Sequence, residues 1–267
     1  VFEIAQSAPS WFVYEAAGKL ASWMSDVRID ELRRLIPPGL GKRLYDNVWT
    51  DPAGDNAFVT YEEARGCEDT DMACREKGEP GVQYFAGIDY GAVKDATAMS
   101  LGHADNEGNV VVDRLDLIQG SQESRVQISA IEAWVERIKR GFGKPVLVVD
   151  PHQMEQFIQR HEGTYEIVRF EPRAGRANHD LAANLRSVII NRTLRYYTGA
   201  GEVYRNGRPH TLTDELSQLV VLSRNYGYRI SHDNAGHDDR AVAVGMMALE
   251  VVQRKGRVNV ATAERWF

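Results

Sequence analysis

Two apolar runs in this chain end in aspartate. Asp89 closes YFAGID and Asp150 closes VLVVD. A third acidic site, Asp238 and Asp239, stands in HDDRAVAVGMMALEVV at the start of a helical pattern. A carboxylate at the end of a buried strand is unfavourable unless it is paired or holds a cation. Three such sites point to carboxylates converging on divalent ions. Their hard oxygen donors suit Mg2+ or Mn2+ better than Zn2+. Two ions about 4 Å apart, sharing one carboxylate, form an arrangement that hydrolyses phosphodiesters. Asp95 lies in the loop of GIDYGAVKDATAM and is placed to return to the same site, with Gly91 permitting a close backbone turn. His237 and His152 flank the acidic sites, and His237 is a candidate proton shuttle. Arg173, Arg176 and Arg186 are candidates for gripping phosphates.

Each of these residues also has a plainer reading. Asp238 or Asp239 could cap the helix that follows. Asp95 could be a solvated loop residue. His237 could be a surface or capping histidine, and the arginines a solvated basic face. Asp89 and Asp150 are the hardest to explain in this way, because aspartate seldom ends an apolar strand by chance.

The elements that must position these residues are legible in the pattern. IDELRRLIP and WFVYEAAGKLASWM read as helices, so residues 1–45 form a small, mainly helical segment. GLGKR lacks the outer glycine and the Ser or Thr of a phosphate loop. DPAGDN reads as a turn, and AFVTYEEARGC as a strand running into a short helix. Polar residues 66–80 read as a linker. YFAGID, TAMSLGHAD and NVVVDRLDLI follow as an antiparallel meander. A helix over 122–140, the buried strand KPVLVVD, the helix MEQFIQRH and the strand YEIVRFE come next. Helices over 179–191, around TLTDELSQLVVL and over 239–254 complete the order. The class is α/β, a mixed sheet of antiparallel meander plus parallel strands flanked by helices. Strand-end carboxylates then share the carboxyl edge of the sheet. Residues 193–234, with TGAG and NYGYR, read as a movable flap.

Composition bounds the partners. The chain has 267 residues, 43% hydrophobic and 26% charged, with a net charge of −6. Residues 1–80 carry 15 acidic against 9 basic residues, whereas residues 169–208 carry 8 arginines against 3 acidic residues. The acid therefore lies apart from a basic stretch suited to nucleic acid. No apolar run approaches the ~20 residues of a membrane span, and no signal peptide is visible. The chain begins at Val1 and reads as a fragment. Its two cysteines, Cys67 and Cys74, read as reduced thiols.

YFAGIDYGAVKDATAM, KPVLVVDPHQ and GHDDRAVAVGMMALE, in that order, resemble the nuclease domain of the large terminase subunit of tailed bacteriophages. LASWMSDVRIDELRRLIPPGLGKRLYDNVWTD is similar to the stretch joining the terminase ATPase to its nuclease. The resemblance implies a ribonuclease H-like fold and an endonuclease that cuts concatemeric viral DNA during genome packaging in the host cell cytoplasm. It implies metal ligands at Asp89, Asp150 and Asp238, with Asp239 and Asp95 as further ligands. Double-stranded DNA, the missing ATPase domain, the portal and the small terminase subunit are the implied partners. On this reading residues 1–80 are linker and tail of the ATPase domain. Residues 81–255 are the nuclease and 256–267 a C-terminal tail.

Three other classes compete. GIDYG resembles the first phosphate loop of actin-like and sugar-kinase ATPases, but VLVVDPHQ lacks the glycines of a second. A non-catalytic module could grip DNA or dock on the portal, yet it gains nothing from buried negative charge near phosphate. A resolvase-like enzyme would share the chemistry and differ in its DNA substrate.

Overall fold

The computed structural model describes residues 23–45, 56–93, 95–171, 175–205, 207–232 and 236–263, with side chains up to residue 255. The chain divides into two units, Val1–Asn56 and Ala57–Phe267. In the first, the described part is two short helices, α1 (Asp26–Leu35) and α2 (Pro38–Tyr45). Ser25 Oγ caps α1 by accepting the Arg28 amide at 3.2 Å. Ile36 is extended, as proline demands of its predecessor, and the helix restarts at Pro38. GLGKR is therefore part of a helix. WFVYEAAGKLASWM for the most part, and nearly all of the DPAGDN turn, lie outside the described residues.

The second unit is built on a seven-stranded mixed sheet. Its strands are β1 (Glu68–Asp69), β2 (Phe85–Asp89), β3 (Ala96–Ala104), β4 (Val110–Gln119), β5 (Val146–Val149), β6 (Ile167–Arg169) and β7 (Leu194–Tyr197). Their order is β1-β7-β4-β3-β2-β5-β6. The meander β2–β3–β4 is antiparallel, while β5 joins β2, β6 joins β5 and β7 joins β4 in parallel. This is the mixed α/β sheet that the sequence pattern implies.

Helices cover both faces. Strand alternation turns Ala86 and Ile88 to one side, where they pack with Ile131, Trp134 and Ile138 of α4 (Ile128–Phe142) and Met154 and Phe157 of α5 (Pro151–His161). Gly87 faces the other side, against α8 (Asp239–Ala263). A Cβ on Gly87 would stand 2.1 Å from the Ala243 carbonyl oxygen, so only glycine lets this helix lie so close to β2. Ser100 Oγ fastens the same contact by donating to that carbonyl at 2.8 Å. Beside α8 pack α6 (Arg176–Ile190) and α7 (Leu212–Gln218). Two hairpins complete the unit: β8 (Val203–Arg205) with β9 (Arg208–His210), and β10 (Val220–Arg224) with β11 (Gly227–Ser231).

The boundaries differ from the pattern reading in three places. The compact unit begins at Ala57 rather than at 81. Phe58 is buried, α3 (Tyr61–Arg65) carries a Thr60–Glu63 capping box, and β1 pairs with β7. A two-residue strand of Glu and Asp has no apolar alternation, so residues 66–80 looked like a linker. At the other end α8 continues to Ala263, where a tail was expected. Within 193–234, β7 is an inner strand of the sheet, so this stretch is not one flap.

Candidate functional site

Asp89 is the last residue of β2, and Asp150 immediately follows β5. The strands run parallel with Ile88 beside Val149, so both carboxyls reach the same edge of the sheet. Asp150 also caps α5, one oxygen accepting the His152 amide at 2.8 Å. The close approach of α8 at Gly87 brings its first turn to that edge. The Val242 amide bonds to the Asp238 carbonyl at 2.8 Å, which places Asp238 in the cap position and Asp239 inside the helix. The Asp239 carboxylate accepts from the Ala96 amide at 3.3 Å, at the start of β3. It thus faces the sheet instead of capping its own helix.

Burial and mutual proximity outweigh the partners these carboxylates have. Burial pushes the Asp89 carboxyl well above the ordinary carboxylate range, and Asp239, Asp238, Asp150 and Glu215 push it the same way. Asp239 is raised to about 6, first by burial and then by Asp238 and Asp95, against the opposing Ala96 hydrogen bond and Arg240. Asp238 is raised by burial and by Asp95, against the pull of His232 and Arg229. Asp95 is exposed in the β2–β3 loop, yet its charge reaches both. Gly91 makes that loop possible, since a Cβ there would lie 2.4 Å from the Asp95 carbonyl oxygen.

An all-carboxylate donor set with this surplus of negative charge fits a hard divalent cation. Among the described residues no three His, Cys, Asp or Glu side chains are grouped closely enough to hold an ion as they stand.

Several functional candidates carry no sequence motif. Glu215 on α7 and Arg240 on α8 form a fully buried pair at 2.5 Å. Glu215 also accepts the Ala241 amide at 2.9 Å, and Arg240 donates to the carbonyls of Gly201 at 2.8 Å and His210 at 3.2 Å. This knot fixes the first turn of α8, and hence Asp238 and Asp239. His232 Nε2 lies 3.7 Å from Asp238 Oδ1, and His237 Nδ1 lies 3.4 Å from Asp239 Oδ2. Burial and nearby Arg205, His232 and Arg240 depress the His237 pKa, which favours the neutral ring. Arg240 is the arginine whose charge favours the ionised Asp239, and Arg229, half-buried on β11, acts likewise on Asp238.

The arginines selected from sequence stand elsewhere. Arg186 is buried, with Nη1 donating to the Phe58 carbonyl, so it has no surface to offer a phosphate. Arg176 is exposed at the start of α6, 4.0 Å from Asp180. Arg173 lies outside the described residues. Others in the basic stretch brace the fold: Arg195 pairs with Asp69, and Arg192 donates to the Gly66 carbonyl at 3.1 Å.

No family model and no curated protein matches the chain by sequence. Solved structures do match. The large terminase nuclease of thermophilic phage G20c has a TM-score of 0.56 at 15% identity, over 72% of this chain and 97% of that one. The fold is that of a large terminase nuclease. The G20c nuclease with bound magnesium gives a TM-score of 0.54 at 15% identity, over 72% of this chain and 96% of that one. The HK97 bacteriophage large terminase gives 0.55 at 15% identity, with 86% of this chain covering 52% of that one. The ribonuclease H-like topology, with its meander and parallel flank, is shared. No helix among the described residues is long and apolar enough to cross a membrane.

Proposed function

We propose that this chain is a metal-dependent endodeoxyribonuclease that cuts concatemeric viral DNA during genome packaging. The observation that carries the reading is the gathering of Asp89, Asp150, Asp238 and Asp239 at one sheet edge, where burial and neighbouring carboxylates raise the pKa of Asp89, Asp238 and Asp239. A domain that merely gripped DNA would repel its phosphates there. The fold likeness supports the reading, since the G20c nuclease among its neighbours has been solved with bound magnesium and with bound cobalt.

Asp89, Asp150 and Asp238 would hold the ions, Asp239 would join them, and Asp95 would lend charge from the loop. Two Mg2+ or Mn2+ ions would supply activation of water and stabilisation of the leaving oxygen. The chain's own residues do the rest. The Glu215–Arg240 knot fixes the ligand-bearing helix turn. Ala96 and His152 amides orient Asp239 and Asp150. His237, with a depressed pKa, is available as a neutral base beside Asp239 to move a proton.

The partners that follow are double-stranded DNA, an ATPase domain, the portal and the small terminase subunit, in the host cytoplasm. The test is incubation of supercoiled plasmid with the purified chain and Mn2+ or Mg2+. Nicked and linear products that vanish with chelator are expected. Cutting indifferent to chelator, or none with either ion, would rule the reading out.

A further inference from the structure

One histidine outside the acidic motif stands at the same edge. His232 directly follows β11, six residues before Asp238. Its Nε2 lies 3.7 Å from Asp238 Oδ1. Asp238 holds the cap position of α8. The end of a hairpin strand and the start of the ligand-bearing helix thus bring a nitrogen donor beside an oxygen donor.

This contact differs from an ordinary ion pair. At 3.7 Å the two atoms stand beyond hydrogen-bond reach of each other. The side chains are 35% and 30% exposed, so an ion arriving from solution can reach both. Two donors bound to one ion at about 2.1 Å and a right angle stand roughly 3 Å apart. Closing by less than about 1 Å would let this nitrogen and oxygen share an ion. The His237 ring lies nearly parallel to that of His232, with centroids 6.3 Å apart and planes at 26°. Its Nδ1 is 3.4 Å from Asp239 Oδ2, so the two rings stand beside two successive carboxylates. Two imidazole–carboxylate contacts elsewhere in this unit are of another kind. His103 Nδ1 meets Asp113 at 2.6 Å with both side chains buried. His161 Nε2 stands 3.3 Å from a Glu132 oxygen that Arg160 already holds at 2.8 Å.

The donor type decides what such a nitrogen could do. Carboxylate oxygens serve Mg2+ and Mn2+ alike. An imidazole nitrogen is a softer donor, from which Mg2+ gains little and a first-row transition ion gains more. One nitrogen among oxygens therefore discriminates between ions that the aspartates alone treat similarly.

We propose that His232 is a metal ligand, donating Nε2 to the ion held by Asp238, and that this nitrogen makes the centre select Mn2+ over Mg2+. The proposal rests on the nuclease reading and adds to it a residue that sets metal specificity. His237 keeps its separate place beside Asp239.

The test reads the metal itself. The metal-free chain is loaded with Mn2+, and pulsed electron paramagnetic resonance looks for coupling to a bound imidazole nitrogen. Calorimetric titrations with Mn2+ and with Mg2+ are run in parallel. The wild type should show the nitrogen coupling. His232→Ala and His232→Gln should lose it while still binding Mn2+ through the aspartates. Both variants should bind Mn2+ about tenfold more weakly and Mg2+ within about threefold of wild type, so that selectivity falls. His237→Ala should keep the coupling. A purely structural His232 would weaken both ions alike and leave no nitrogen signal to lose. Mn2+ bound to the wild type without nitrogen coupling, or coupling that survives in both His232 variants, overturns the ligand and leaves the nuclease standing. A wild-type chain that binds no Mn2+ and cuts no plasmid overturns the metal-dependent nuclease reading, and the ligand with it.

Discussion

Asp89 and Asp116 are near neighbours with opposite surroundings. On β3 the first lies opposite Ala98 and the second opposite Met99. Asp116 accepts from the Arg114 guanidinium by two bonds, from Trp134 Nε1 at 2.7 Å and from Arg137 at 3.2 Å. Asp89 meets four other carboxylates instead, and every one of them disfavours its charge. One sheet therefore shows both uses of a half-buried acid. Asp116 ties β4 to α4 and helps the fold. Asp89 opposes the fold, and the structure tolerates it because the rest of the unit is well packed. Charges matched within the chain are structural, and charges left unmatched are the ones that await something from outside.

That contrast can be broken first at the unmatched side. Asp89→Asn should lower plasmid cutting by on the order of a thousandfold, as several kcal/mol of transition-state stabilisation is lost, with the melting temperature unchanged or raised. Normal cutting by this variant would show that Asp89 is not part of the chemistry. The matched pair behind the site should behave in reverse. Arg240→Ala leaves Glu215 buried and unpaired, and should cost about 3–5 kcal/mol in denaturant unfolding. A cost under about 1 kcal/mol would mean that the knot does not hold the helix turn.

Asp239 sharpens the comparison through pH. Its folded-state pKa of about 6 exceeds the ordinary 3.8, so the folded protein binds the extra proton. Between about pH 4 and 6 this contribution to the stability of the metal-free protein falls as pH rises, and it is fully lost above about 6. Asp239→Asn should remove that slope, and at pH 7 should stabilise the metal-free chain by up to about 3 kcal/mol while abolishing cutting. An unfolding curve with the same pH slope in the variant would contradict this. Asp116→Ala is expected to have the smallest effect, a loss of about 1–3 kcal/mol with kcat preserved. A fall in kcat there would erase the distinction between the two aspartates.

The fold was legible because its signals are local. The apolar runs, the DNEG turn and the period of the last helix give the meander, the parallel strands and α8 directly. The short helix in AFVTYEEARGC was legible too, but residues 66–80 were not, since β1 has only Glu68 and Asp69 and gains its place from β7 far along the chain. TLTDELSQLVVL reads as one helix, yet Leu219 is extended and Val220 starts β10. The aspartates stood out because an acid at the end of an apolar strand breaks the pattern. Glu215, Arg240 and Arg229 did not, because an ion pair or a cation supplied from a distant hairpin leaves no mark on its neighbours in sequence. Arg186 shows the converse: a basic stretch seen only as charge hides an arginine that belongs to the core.

The most direct test is anomalous diffraction from crystals of the wild-type chain and of Asp89→Asn soaked in Mn2+. Peaks among Asp89, Asp150, Asp238 and Asp239 are predicted in the wild type, with the carboxylates drawn together, and weak or absent peaks in the variant. A wild-type map with no peak at that edge, from crystals of protein that still cuts DNA with Mn2+, would contradict the assignment of these aspartates as the metal centre.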